Sequence, residues 1–255
     1  MLIPREHGAY GELAFPLTTA LAIGRPTLGA VALAAAGVAA FLVHESLLVI
    51  LGQRGSRAAR EQRAEAQRTL LLFGSTAVAA GVAAVILLNP LARWALALPA
   101  VTALQLAVAV FSGKERTFAG EVLAAATLSA LSVPVAVGAG VTMRAAFTVF
   151  AVFAIMFAVA TIAVHTIIVR GGPATGSRSR RQLSAAVSVV ALAVFYCLAR
   201  AGLVYPIAVW AAVPMGIQAL YLVIRPPLPR QLRMVGWSLV VAAATTAILL
   251  VLALR

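Results

Sequence analysis

An imidazole and a carboxylate stand side by side at His44-Glu45, inside an otherwise apolar run, and a second imidazole, His165, stands in another such run 121 residues later. An imidazole beside a carboxylate is a minimal kit for moving a proton. His44, Glu45 and His165 are therefore the candidate catalytic residues, as general acid or base. Ionisable side chains in apolar helices are costly unless they face protein or water, and mark a site by default. The competing reading is structural: His44 caps a neighbouring carbonyl, and Glu45 pairs with an Arg.

Cations follow both histidines. After His44 come Arg54, Gly55-Ser56-Arg57, Arg60, Arg63 and Arg68; after His165 come Arg170, Gly176-Ser177-Arg178, Arg180 and Arg181. Gly-Ser-Arg combines a flexible backbone, a hydroxyl and a guanidinium fork suited to phosphate. Charged openers precede the same runs: Arg5-Glu6-His7 with Gly11-Glu12, and Lys114-Glu115-Arg116 with Gly120-Glu121, 109 residues on. The candidate substrate-binding set is Arg54, Arg57, Arg60, Arg178, Arg181, Lys114, Arg116, Glu12 and Glu121. Its bland counterparts are basic anchors touching anionic lipid and carboxylates favoured by the positive end of a helix.

Other chemistries find little support. The chain has no Asp, and all seven acids are Glu, so oxygen-rich Mg2+ or Ca2+ sites are hard to build. No metal ligands are assigned, and Mg2+ is not expected as an essential ion. A haem or transition-metal site using His44 and His165 is a minor alternative, because imidazole suits iron, copper and zinc. The single Cys197 excludes a disulfide framework and a CxxC pair. P-loop, HExxH, dinucleotide-binding and GxSxG patterns are absent.

These residues must be positioned by elements that live in lipid. Of 255 residues, 63% are hydrophobic and only 11% charged, with mean hydropathy +1.03; a soluble domain has about a quarter of its residues charged. The net charge of +13 does not indicate nucleic acid, because the Arg residues form short caps between apolar runs rather than one basic face. A membrane-crossing helix needs roughly 20 apolar residues. Nine candidate spans result, at about 10–24, 28–52, 69–88, 92–111, 118–141, 145–169, 182–201, 204–224 and 235–254. The first has no cleavable-leader pattern and is expected to be retained.

With nine spans, fifteen basic residues fall on the side of the N-terminus and five on the other. The bias towards Lys and Arg on the inside then puts the N-terminus in the cytoplasm and the C-terminus outside. The expected location is the inner (plasma) membrane of a bacterium. The two charged blocks start four spans apart and so share one orientation. This predicts a parallel repeat within one transmembrane domain, 1–255, with units at about 1–111 and 112–224 and an extra helix at about 235–254.

The stretch Pro4-Arg5-Glu6-His7-Gly8-Ala9-Tyr10, with His44-Glu45-Ser46-Leu47-Leu48-Val49 and Gly52-Gln53-Arg54-Gly55, resembles the YwiC-like family of bacterial membrane proteins. More remotely, the layout is similar to the UbiA superfamily of intramembrane prenyltransferases. That resemblance implies nine helices, a cytoplasmic N-terminus and functional loops after helices 2 and 6. It also implies Mg2+-diphosphate binding through Asp-rich motifs, and there this chain departs. Glu45 stands for one acid, Leu48 and Gly52 fall at its partners, and Ala160, Thr161 and His165 offer no carboxylate.

The reading is an all-α polytopic membrane protein of about nine transmembrane helices, UbiA-like. It is expected to hold an isoprenoid or other amphiphilic lipid in a cytoplasm-facing intramembrane cavity, and to be a divergent transferase if catalytic. A small transporter is the alternative.

Overall fold

The computed structural model describes residues 1–4, 7–114, 117–168, 177–224 and 232–255, with the backbone alone at 7, 165–168, 177–185, 188, 223 and 232. All regular structure among the described residues is helical. The elements are α1 (His7–Ile23), α2 (Leu28–Ile50), α3 (Ser56–Glu61), α4 (Arg63–Leu87), α5 (Pro90–Ala95), α6 (Ala97–Phe111), α7 (Phe118–Ala130), α8 (Ser132–Gly138), α9 (Met143–Ile168), α10 (Ser177–Arg200), α11 (Ile207–Ile224) and α12 (Leu232–Leu254). Helices are what an apolar chain in lipid must form, since each satisfies its own backbone polar groups without water.

Every expected span is occupied by helix, and two of them are broken. The span at 92–111 divides into α5 and α6, and that at 118–141 into α7 and α8. Pro99 and Pro134 have no N–H to give the carbonyls of Ala95 and Ala130, where the first half of each pair stops. The Arg-rich link after α2 is itself helical: α3 lies within it, and α4 starts at Arg63 rather than 69. Its Ala, Glu, Gln and Arg residues are strong helix formers, so α4 projects beyond its apolar stretch.

Six stretches among the described residues are long and apolar enough to cross a membrane: Leu28–Ile50, Arg63–Leu87, Pro90–Phe111, Phe118–Gly138, Met143–Val164 and Arg233–Leu254. Shorter apolar helix is described at Val189–Arg200 and Ile207–Leu222, and α1 has 17 residues.

The centre is the α1–α9 pair: α1 also packs against α2, α7, α8 and α12, and α9 against α7, α8, α10, α11 and α12. Around this pair α2 and α4 form a hairpin, and α11 leans on α12. Phe153 and Met156 of α9, Phe195 of α10, Met215 of α11 and Leu250 of α12 are sealed in the shared core.

One end of the bundle is sewn together by backbone groups. The Arg25 N–H donates to the Ala139 carbonyl at 2.9 Å, the Thr27 hydroxyl to the Gly138 carbonyl at 2.9 Å, and the Asn89 amide to the Val137 carbonyl at 3.1 Å. The Arg144 guanidinium donates to the Val204 carbonyl at 2.9 Å, and the Tyr205 N–H to the Thr148 hydroxyl at 3.0 Å. The links α1–α2, α4–α5, α8–α9 and α10–α11 therefore share that end. The N-terminus and the α2–α4 link lie at the other.

Candidate functional site

The site is built where α2 stops. Gly52, at φ 74°, takes the left-handed conformation that ends a helix cheaply only for glycine. Its N–H donates to the Val49 carbonyl and that of Gln53 to the Leu48 carbonyl, the paired bonds of a Schellman cap. The chain folds back over the last turns of α2, and Arg54 meets Glu45. The Arg54 Nε donates to Glu45 Oε1 at 2.9 Å and a terminal nitrogen to Oε2 at 2.7 Å. The side chains are only 16% and 21% exposed. This two-pronged geometry is the strong form of the guanidinium–carboxylate pair.

His44 is half-buried beside it. The next residue round, Ser46, is sealed from solvent and binds the N-terminal segment: its hydroxyl donates to the Leu2 carbonyl at 3.2 Å. The Leu2 N–H donates to the Thr69 hydroxyl of α4 at 3.0 Å. Leu2 is packed with Val49 and Ala66. The Tyr10 hydroxyl donates to the Pro4 carbonyl at 2.9 Å, and its ring meets Phe41 edge-on, 5.0 Å between centroids. Residues 1–4 thus lie across the end of the α2–α4 hairpin and are tied to α1. Sequence reasoning missed this strap. The available signal was a hydroxyl, Ser46, two positions after His44 in an apolar helix.

The remaining cations separate into paired and exposed. Arg57 is exposed and bonds Glu61 one turn on, at 2.8 Å. Arg60, Arg63, Arg68 and Lys114 are exposed at the same end. Glu12, early in α1, and Glu121, in the first turn of α7, are half-buried. Thr117 caps α7, its hydroxyl accepting from the Gly120 N–H at 3.2 Å. The helices carrying Glu12, Glu121 and His165 (α1, α7 and α9) pack against one another, and α2 touches α1. Arg116 lies outside the described residues, as do the side chains of His165, Arg178 and Arg181. Among the described residues no cluster of three or more His, Cys, Asp or Glu could hold a metal ion.

Chemically, this end offers a shielded, neutralised Arg–Glu pair, an imidazole beside it, and a rim of exposed cations able to take an anion. A cavity of about 480 Å3 described elsewhere, between α10 and α11, is lined by none of these residues.

The family model of the YwiC-like proteins matches residues 3–137, the stretch from the N-terminal strap through α8 that holds His44, Glu45, Arg54, Glu12 and Glu121. Neither the curated proteins nor the solved structures contain a match to the chain. The matched stretch is just over half of the 255 residues, and its helices fit a bilayer in number and length. The chain therefore belongs to the YwiC-like family and is a multi-pass, all-helical membrane protein.

Proposed function

We propose that this YwiC-like protein binds an isoprenoid or similar amphiphilic lipid at the end of the bundle where α2 stops. The polar head is held beside His44 by the basic rim, and the tail lies among the Ala, Val and Leu residues of α1, α2 and α7. The observation that carries the reading is the shielded Glu45–Arg54 pair, next to His44 and below a rim of exposed Arg57, Arg60, Arg63 and Lys114. Both oxygens of Glu45 already accept from Arg54. That favours a binding site for an anionic head over a carboxylate site for Mg2+-diphosphate.

In this reading the bundle is a UbiA-like scaffold of two parallel units, with its basic end in the cytoplasm. In a divergent transferase His44 would be the proton-handling group, since Glu45 is engaged.

The test is mass spectrometry of lipids retained by gently purified protein, beside His44→Leu and an Arg57→Ala/Arg60→Ala/Arg63→Ala variant. The expected result is one amphiphile near stoichiometry, depleted at least severalfold in both variants. A lipid profile equal to that of bulk membrane in all three proteins would overturn the proposal. A visible haem spectrum would replace it with the metal reading.

A further inference from the structure

The α10–α11 face carries a groove that the family reading leaves without a role. Near the end of α10, Tyr196 and Arg200 face Pro206 and Trp210 of the following link and helix across an open depression of about 480 Å3. A second depression of about 90 Å3 continues it along the same two helices, between Leu192 and Gly216-Ile217. The lining positions follow one stripe on each helix. On α10 they are 189, 192, 196, 199 and 200, and on α11 they run 209, 210, 213, 216, 217 and 220. These are the spacings of a single helical face, so the two depressions lie along one interhelical seam. From Val189 to Arg200 it is about 16 Å long at 1.5 Å per residue, about half the roughly 30 Å hydrocarbon thickness.

The mouth is built for a negative group. Gly202, at φ 74°, closes α10 and turns the chain into α11: its N–H donates to the Ala199 carbonyl and that of Leu203 to the Leu198 carbonyl. This leaves Arg200 exposed at the mouth. Arg144 is engaged beside the link, its guanidinium donating to the Val204 carbonyl and lying 4.6 Å from the centre of the Tyr205 ring. The last acid in the sequence is Glu121, and the 134 residues after it hold ten Arg and no Asp or Glu. α10 packs against α9 and α11, both free of acids. Some of the positive charge of Arg200 is used by the partial negative charge of the α10 C-terminus, and the remainder is available to an anion. Trp210 and Tyr196 are 69% and 60% exposed. Such rings settle at the headgroup level of a bilayer.

We infer that the α10–α11 groove is a binding site for an anionic phospholipid, its headgroup on Arg200 and its acyl chain along Leu192, Gly216 and Ile217. The site lies at the opposite end of the bundle from His44 and does not depend on the reading of that end.

Trp210 is a built-in reporter. A Trp94→Phe/Trp237→Phe protein leaves it as the sole tryptophan, and it is reconstituted into vesicles of phosphatidylcholine doped with brominated phosphatidylglycerol or brominated phosphatidylcholine. Quenching by the anionic lipid should be half-maximal at about fivefold lower mole fraction, the ratio expected for one interfacial Arg. Arg200→Gln should bring the two lipids to parity. Equal quenching by the two lipids in the unaltered groove would overturn the inference. A preference that persists in Arg200→Gln would do so as well.

Discussion

Glu45 and Arg54 are nine residues apart, yet their pairing depends on a helix end between them. A charge pair shielded to this degree is worth more than a surface pair, and removing one partner leaves the other stranded. Glu45→Gln is expected to lower stability by about 2 kcal/mol, and Arg54→Ala by a similar amount. The double variant should lose clearly less than the sum. A double-mutant cycle on thermal unfolding in detergent checks this: simple additivity would mean that the pair does not act as a unit. By contrast Arg57→Ala, which breaks the exposed pair with Glu61, is expected to change stability by about 0.5 kcal/mol or less.

Among the elements, packing is closest where glycine lets two backbones meet. A Cβ on Gly24 would stand 2.7 Å from the Ala139 carbonyl oxygen, the acceptor for the Arg25 N–H. Gly24→Ala must push the α1–α2 link off the end of α8. It is expected to cost about 1–3 kcal/mol and to speed hydrogen exchange at the Arg25 amide. Gly81 makes the control, since on α4 its nearest neighbour would be the Ala36 methyl at 4.0 Å. Gly81→Ala should be neutral or gain up to about 1 kcal/mol through helix propensity. If both variants behave alike, the close approach at Gly24 is not what holds that end.

For the whole molecule, the hydrogen bonds that join links at one end require the helices to alternate in direction. Single cysteines at Arg57 and Lys114, in a Cys197→Ser background, should therefore share one labelling pattern, and cysteines at Arg25 and Ala201 the other. The excess of Lys and Arg at the first end predicts that it is the cytoplasmic one. In intact cells an impermeant maleimide is then expected to reach Arg25→Cys and Ala201→Cys and to miss the first pair. Arg57 and Lys114 labelling from opposite sides would break the alternation.

The apolar spans were legible in the sequence, because lipid leaves an apolar chain no other regular form, while several helix ends and breaks were not. Thr27, Asn89 and Thr117 accept bonds from N–H groups three residues on. Pro99 and Pro134 act four residues back, although their breaks were not drawn from the sequence. The basic rim after α2 was equally visible as composition. What only the tertiary structure decided is which side chains meet. α4 and α9 each contain an apolar stretch long enough to cross a membrane, yet only 6% of that stretch is buried in α4 and 56% in α9. In a membrane, lipid and protein interior are equally good solvents for Leu and Ala, so periodicity does not mark the buried face. The strap of residues 1–4 on Ser46 and Thr69, the closure of Glu45 by Arg54 and the groove beside Arg200 depend on hydrogen bonds, charge and shape. Those forces act at contact distance, and the fold alone brings their partners within reach.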